Sequence, residues 1–294
     1  MKRFVLVYNP VSGHATFPRQ LDEIIEAFDK RGAMLIPYRT KIDNSGLPDF
    51  IREAAPDGVI AAGGDGTLGE VVDYVVRHEL KTPIAVYGSG TSNDFATFLN
   101  LTGGMDVKNA YFDRIVSGKT MPVDVGCANG RYFINVASAG MLTTVAHEVN
   151  VRIKNAIGKI AYYIRGIGEV PNFRALPLHI EADGSEYDVH AYFFVIVNSG
   201  TAGGLKNVAP LARLDDGKLD LIVVKKCSIP NFVALAKDVV SGNVRPDDPN
   251  LLYVQAKKIT VDAGEAVEGD LDGEKGPSLP MTVETLPHAI EMFY

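Results

Sequence analysis

Gly58-Val59-Ile60-Ala61-Ala62-Gly63-Gly64-Asp65-Gly66-Thr67-Leu68-Gly69-Glu70 is the stretch from which the rest of the chain is read. Val59 to Ala62 is a short apolar run of the kind a buried strand shows. Two glycines, an aspartate, a glycine and a threonine follow, and then the period changes. Leu68, Val71, Val72, Val75 and Val76 recur at helical spacing and mark one apolar face. Thr67, with Glu70 three residues on, has capping-box spacing, so a helix is expected to start at Thr67. A strand feeding a glycine turn and a helix start suits phosphate. The glycine backbone approaches closely, and free N–H groups at the helix start face the anion. Asp65 inside that turn repels phosphates unless a divalent cation lies between, which points to Mg2+. The plainer reading is a glycine turn that only joins strand to helix.

Upstream, Phe4 to Tyr8 reads as a buried strand and Asn9-Pro10-Val11-Ser12-Gly13 as a loop. Leu21, Ile24, Ile25 and Phe28 then have helical spacing. On spacing alone, Ser12 and Gly13 suit a plain strand–helix loop at least as well as a phosphate contact. Met34 to Tyr38 is a second strand ending near Thr40, and Leu47, Phe50, Ile51 and Ala54 mark a short helix. Downstream, Ile84 to Tyr87 is a fourth strand. It enters a second glycine-rich turn, Gly88 to Asp94, with Phe95, Phe98 and Leu99 as the next helical face. Asn93 and Asp94 also read as ordinary helix caps. Strands alternating with helices imply a doubly wound parallel sheet with helices on both faces. Ligand is then expected beyond the carboxyl ends of the strands.

After Val123-Asp124-Val125-Gly126 the pattern changes. Arg131 to Val136 is expected as one strand, followed by a helical stretch from about Leu142 to Ile167. The remainder reads as strands with turns: Leu176 to Ala182, Glu186 to Asn198, Leu219 to Val224, Lys257 to Asp262 and Met281 to Glu284. Asp-Gly turns between alternating runs suggest an antiparallel β-sandwich. The expected domains are 1–125, α/β and nucleotide-binding, and 126–285, β-sandwich, with 286–294 a candidate to return to the first. Leu271-Asp272-Gly273-Glu274 and Ala212 to Asp220 both read, by residue chemistry, as turns. Asp124 reads as an edge or end position.

The 294 residues, 46% hydrophobic and 22% charged, supply ample core, and the length suits two domains. A net charge of −7 argues against nonspecific nucleic-acid binding and against strong attraction to anionic membranes. Two cysteines, Cys127 and Cys227, suggest no disulfide framework and fit a reducing, cytoplasmic compartment. The longest apolar candidate, Ala191 to Val197, is strand-sized and far short of the roughly 20 residues of a membrane span. A lipid-directed protein of this composition is expected to visit the membrane surface only transiently.

Gly63-Gly64-Asp65-Gly66-Thr67 resembles the signature shared by lipid kinases of the diacylglycerol kinase type, NAD kinases and, more distantly, phosphofructokinases. Asn9-Pro10, followed by Ser12-Gly13, looks like the lipid kinases' first nucleotide motif, and Gly90-Thr91 with Asn93-Asp94 like their second. Leu271-Asp272-Gly273-Glu274 is similar to their Leu-Asp-Gly-Glu. Together these favour a lipid kinase over an NAD kinase. The resemblance implies ATP and Mg2+, with nucleotide contacts at Asn9, Pro10, Ser12, Gly13, Thr40, Gly63, Gly64, Asp65, Gly66, Thr67, Leu68, Gly69 and Thr91. It implies Glu274 as the base that takes a proton from a lipid hydroxyl, with Asp272 fixing the turn or tuning the base. It also implies that Asp124 joins Asp65 and Asp94 in a network reaching the catalytic Mg2+ through water. A structural Mg2+ would be held by the Asp216 carboxylate and the Arg213 and Lys218 carbonyls, with Asp215 and Asp220 assisting or solvated.

One departure stands out: Gly69 occupies a place where the family often has asparagine, which bears on nucleotide preference. The expected reaction is phosphorylation of diacylglycerol to phosphatidic acid. The rivals are another acceptor (NAD, a sphingoid base or another lipid alcohol) and a regulatory nucleotide-binding module. The second domain is expected to supply the base and the lipid side of the cleft. Ile153, Ile157, Ile160, Tyr162 and Tyr163 are candidates for the chain lining, and Lys154 and Lys159 for contact with anionic lipid. Soluble bacterial relatives of this type suggest a homodimer.

Overall fold

The structure, a computed structural model, describes residues 1–12, 17–90, 93–140 and 174–294. The chain divides into two compact units, one of Met1–Val123 with His288–Tyr294, the other of Asp124–Pro287.

The first unit is built on β1 (Lys2–Tyr8), β2 (Ala33–Arg39), β3 (Gly58–Gly63) and β4 (Ile84–Gly88). All pair in parallel, in the order β2-β1-β3-β4. Met292 lies in parallel register beside Ile84, so the last residues of the chain extend this sheet. The central strands β1 and β3 are apolar without alternation, as burial on both faces requires: Phe4 to Val7 and Val59 to Ala62 are all buried. Among the described residues, the α-helices α1 (Leu21–Asp29), α2 (Leu47–Ala54), α3 (Asp65–Arg77), α4 (Asp94–Phe98) and α5 (Met105–Ser117) accompany the sheet. The aromatic core centres on Phe4, which meets Phe28 and Phe293 edge to face at 5.5 and 6.2 Å. Because the strands run the same way, Asn9, Thr40, Gly64 and Ser89 all leave the sheet at one end.

One expectation for this unit is corrected. The helix after the first glycine turn starts at Asp65, two residues before Thr67, and no side chain caps it. Gly64 is extended, and its carbonyl already accepts from Thr67 and Leu68 N–H. Thr67 is buried instead of capping, packed so closely on Gly63 that a Cβ there would lie 2.2 Å from its hydroxyl. Glu70 accepts from the Asn44 amide at 2.8 Å. The capping-box spacing is present, but both side chains are committed elsewhere.

In the second unit the strands are β5 (Thr120–Ala128, entering from the first unit), β6 (Arg131–Phe133), β7 (Val136–Gly140), β8 (Leu176–Ala182), β9 (Ser185–Val197), β10 (Leu219–Lys225), β11 (Leu251–Ala256), β12 (Lys258–Asp262), β13 (Gly269–Leu271), β14 (Glu274–Lys275) and β15 (Met281–Phe293). Pairing within it is antiparallel. β9 runs beside β8 over its first half and between β7 and β10 over its second. β8 shows the period-2 pattern: Leu176, Leu178, Ile180 and Ala182 buried, Pro177, His179 and Glu181 exposed. Along β9 and β10 both faces are apolar. Phe194, Ile196, Leu221 and Val223 join one buried cluster, while Phe193, Val197, Ile222 and Val224 join another.

That second cluster is closed by a helix, α6 (Ile229–Val240), through Phe232, Leu235 and Ala236. The sequence reading placed only strands and turns here. Pro230 lies in the helix's first turn, where proline is tolerated because its missing N–H has no intrahelical acceptor. The strand expected from Arg131 to Val136 is also corrected. It breaks into β6 and β7 at Ile134-Asn135, whose N–H groups turn to Asp272.

Candidate functional site

In the first unit the two glycine turns are locked together. Ser89 and Gly90 N–H donate to the Gly63 carbonyl at 2.9 and 3.1 Å. Gly90 lies so close to Gly64 that a Cβ on Gly90 would sit 2.2 Å from the Gly64 Cα. Only glycine permits that approach. Asp65 completes the clasp: its carboxylate accepts from Asp94 N–H at 3.0 Å and Phe95 N–H at 3.2 Å. The predicted metal-facing aspartate is therefore also the cap of α4, an interaction of about 1 kcal/mol. Asn93, the expected cap, is left-handed and folds its amide back onto Gly90, donating to the carbonyl at 2.8 Å and accepting from the N–H at 2.9 Å. A carboxylate offers about four lone-pair positions, so Asp65 keeps acceptor capacity beyond these two bonds. The leading N–H groups of α3 have no intrahelical acceptor by geometry.

Around the turns, Asn9 Oδ1 accepts from Val11 N–H at 3.0 Å, and Ser12 N–H donates to the Asn9 carbonyl at 3.2 Å. Pro10 between them is half-buried. Thr40 is buried and tied through its N–H to the Tyr8 carbonyl at 3.0 Å. Leu68 is fully in the core, whereas Gly66 and Gly69 are half-buried at the start of α3. Among the described residues the buried Ser89 hydroxyl has no hydrogen-bond partner. Gly13 and Thr91 lie outside the described residues, as do Ile153, Lys154, Ile157, Lys159, Ile160, Tyr162 and Tyr163.

In the second unit Asp272 and Glu274 have separate duties. Asp272 is left-handed at φ 51, in the tight turn between β13 and β14. Its Oδ1 accepts from Asn135 and Val136 N–H at 3.0 and 2.8 Å, and its Oδ2 from Ile134 N–H at 2.8 Å. Its own N–H donates to the Val136 carbonyl at 2.9 Å. Asp270 Oδ1 accepts from Gly273 N–H at 3.0 Å, tightening the same turn. Glu274 pairs through its backbone with Leu271, and its side chain is exposed with no hydrogen bond or ion pair among the described residues.

Asp124 is fully buried, and its carboxylate accepts from Gly217 N–H at 2.6 Å, while its own N–H donates to the Leu214 carbonyl. It therefore holds the 213–218 turn from a position 93 residues away. In that turn Asp216 Oδ1 accepts from Lys218 N–H at 3.0 Å, and Arg213 pairs with Asp215 at 3.5 Å on the surface. Asp220 is not a solvated neighbour. It is buried and accepts from Tyr253 and Gln255. Burial pushes its carboxyl up, opposed by those two hydrogen bonds. Among the described residues no three His, Cys, Asp or Glu side chains gather as a metal cluster. The set at 213–218 is instead one carboxylate with two carbonyls, all hard oxygen donors of the kind Mg2+ takes.

Sequence reasoning missed the polar cluster that joins these turns. Asn198, fully buried, donates its amide to the Asp124 and Ile134 carbonyls at 2.8 and 2.9 Å. Asn135 donates to the Thr201 carbonyl at 2.9 Å and accepts from the Ser199 hydroxyl. The available signal was Asn198-Ser199-Gly200-Thr201 directly after an apolar strand, a polar run placed where a buried strand ends.

The comparisons agree with this two-part arrangement. The family described as "Diacylglycerol kinase catalytic domain" matches residues 3–128, and the one described as "YegS C-terminal NAD kinase beta sandwich-like domain" matches 135–294. A relative from Bacillus subtilis (strain 168), named diacylglycerol kinase, is 33% identical over 95% of this chain and 92% of its own length. One from Staphylococcus carnosus (strain TM300), of the same name, is 33% identical over 99% and 95%. A crystal structure of a diacylglycerol kinase from Bacillus anthracis str. Sterne superposes with a TM-score of 0.73 at 26% identity, covering 100% of this chain and 96% of that one.

Proposed function

The chain belongs to the diacylglycerol kinase family and is a lipid kinase of that type, and we propose that it moves the γ-phosphoryl group of ATP to the free hydroxyl of diacylglycerol, giving phosphatidic acid. The observation that carries this reading is Glu274, an exposed carboxylate without a partner among the described residues, on a turn that Asp272 fixes through three charge-assisted bonds. In this reading Glu274 accepts the proton of the attacking hydroxyl, and Asp272 holds the turn so that the carboxylate stays aimed. A positioned base contributes roughly 10²–10⁴-fold, and positioning with charge neutralisation supplies the rest of phosphoryl transfer.

The clasped turns Gly63–Thr67 and Gly88–Gly90 bind the phosphates through backbone N–H groups, with the unpartnered Ser89 hydroxyl as a further contact. By their oxygen donors Asp65 fits a catalytic Mg2+ and the 213–218 turn a separate, structural one. The ion at Asp65 would, when bound, neutralise the charge that builds up on the transferring group. Asp124, by gripping Gly217, holds the turn that carries the Arg213 and Lys218 carbonyls. No helix among the described residues is long and apolar enough to cross a membrane, and we propose that the enzyme meets its lipid at the membrane surface.

The test is transfer of labelled γ-phosphate from Mg-ATP into a panel of lipids in mixed micelles, with NAD as a separate acceptor. Label in diacylglycerol is the expected result. Label in another lipid corrects the acceptor and leaves the chemistry standing, whereas label in NAD alone overturns the proposal.

A further inference from the structure

Asn198 stands directly after the last residue of β9 and is fully buried. Its backbone N–H donates to the Asn135 carbonyl at 2.9 Å. Its side-chain amide donates twice more, to the Asp124 carbonyl at 2.8 Å and the Ile134 carbonyl at 2.9 Å. Two carbonyl acceptors fix which way the amide faces, because only its nitrogen carries donors. The Oδ1 is buried with no hydrogen-bond partner among the described residues. A buried acceptor left unsatisfied is costly, and an apolar side chain of similar shape avoids that cost. What explains an asparagine here is the pair of segments that its NH2 group joins.

On one side lies the base turn. Ile134 and Asn135, whose carbonyls Asn198 holds, donate their N–H groups to the Asp272 carboxylate at 2.8 and 3.0 Å. The break between β6 and β7 is thus gripped twice, through its donors by Asp272 and through its acceptors by Asn198. On the other side lies the 213–218 turn. Asp124 gives its carbonyl to Asn198, its N–H to the Leu214 carbonyl at 2.7 Å, and its carboxylate to Gly217 N–H at 2.6 Å. The carbonyls that fit the structural ion belong to Arg213 and Lys218, the residues immediately outside that grip. Fixing those two carbonyls on an ion fixes Leu214 and Gly217 between them. Hydrogen bonds carry that setting through Asp124 and Asn198 to Ile134, and from there to Asp272. Each of these bonds lies within the second unit.

We infer that Asn198 is a positioning residue for the base turn, coupling the 213–218 turn to Asp272 so that the aim of Glu274 depends on whether Mg2+ is held at Asp216; this rests on the lipid-kinase reading above. Coupling between two sites is reciprocal. A filled 213–218 turn steadies the base turn, and a loosened base turn weakens Mg2+ at 213–218. Asn198 touches no reacting group in this scheme. It sets where the segment held by Asp272 stands, and Asp272 sets Glu274. Loss of the link lowers the rate of the chemical step and leaves the affinity for ATP, which the first unit provides, near that of wild type.

Amide hydrogen exchange of the intact chain, with and without Mg2+ at constant ionic strength and without nucleotide, is the test. Ile134, Asn135 and Val136 N–H report the base turn, because Asp272 accepts from each, and Gly217 N–H reports the 213–218 turn. In wild type Mg2+ is expected to slow exchange at all four, by about fivefold or more at Ile134 to Val136, the lower end of couplings between sites. Asp216→Ala is expected to remove the effect at all four. In Asn198→Ser, whose single donor cannot serve both carbonyls, the slowing is expected to persist at Gly217 and to vanish at the other three. Its kcat for phosphate transfer to diacylglycerol is expected to fall by about tenfold, the worth of two buried hydrogen bonds, with KM for ATP unchanged. Slowing confined to Gly217 in wild type would overturn the inference, as would equal slowing in wild type and Asn198→Ser. Slowing at none of the four would overturn it together with the metal reading of the 213–218 turn. If Asn198→Ser fails to fold, Asn198→Asp, which keeps the shape and turns an oxygen toward one of the two carbonyls, decides, and the wild-type arm stands in either case. The exchange arms need no turnover: the predicted pattern in a chain that phosphorylates no lipid supports the coupling and counts against the kinase reading alone.

Discussion

Asp65 and Asp272 stand in glycine-containing turns in different units, and each uses its carboxylate to grip backbone N–H groups of a distant segment. Asp65 takes two, at the start of α4, and Asp272 takes three, across the break between β6 and β7. The difference lies in what else each turn offers. In the first turn holding and chemistry fall on the same side chain, because Asp65 is both the clasp of the two glycine turns and the candidate for the metal. In the second they are divided: Asp272 holds and Glu274, two residues on, is left exposed. A turn of the second kind can lose its acting residue without losing its shape, and a turn of the first kind cannot.

The sharpest way to break that contrast is Glu274→Gln. Turnover is expected to fall by roughly 10²–10⁴-fold, with ATP binding retained, as read by labelled-phosphate transfer beside nucleotide titration. Asp65→Ala comes next. It should abolish measurable turnover only together with weaker nucleotide binding, and cost about 1 kcal/mol or more of stability through the lost cap. Chemical denaturation beside nucleotide titration checks both halves, and a variant of native stability would show that the clasp is not structural. For Asp272→Ala the order reverses, with stability the primary loss. Three bonds to a charged acceptor predict a loss of ~3 kcal/mol, read as a lowered denaturation midpoint, with activity following the folded fraction and the disordered turn.

The smallest effect serves as a control outside both turns. Asp188 accepts from His179 at 2.8 Å and raises the imidazole pKa on an exposed strand face. A histidine raised in the folded state stabilises below its unfolded value, near 6.5, and that contribution fades as pH rises through the folded value. The difference in melting temperature between wild type and His179→Gln should therefore shrink from pH 6 upward, with phosphate transfer unaffected.

Much of the first unit is legible because its signals are local. Val59 to Ala62 is a continuous apolar run, and the valines of α3 keep their period, so strand, turn and helix follow from neighbours in sequence. What sequence could not place there is the helix start, because Gly64 is extended against Gly90 of the facing turn and Thr67 packs on Gly63 instead of capping. The second unit is less legible for the same reason on a longer scale. The break at Ile134-Asn135 is set by Asp272, more than 130 residues away. The hold of Asp124 on Gly217 is likewise invisible in a lone Val-Asp-Val-Gly. In Leu271-Asp272-Gly273-Glu274 the motif was evident, but which carboxylate holds and which is left to act depended on partners far along the chain.

The most direct test of that division compares Glu274→Gln with Asp272→Asn in one series, measuring the unfolding midpoint and the rate of labelled phosphate transfer from Mg-ATP to long-chain diacylglycerol for each. The account predicts that Glu274→Gln unfolds with wild type and loses at least a hundredfold in rate, while Asp272→Asn unfolds early. A Glu274→Gln enzyme that turns over within a few-fold of wild type would contradict it.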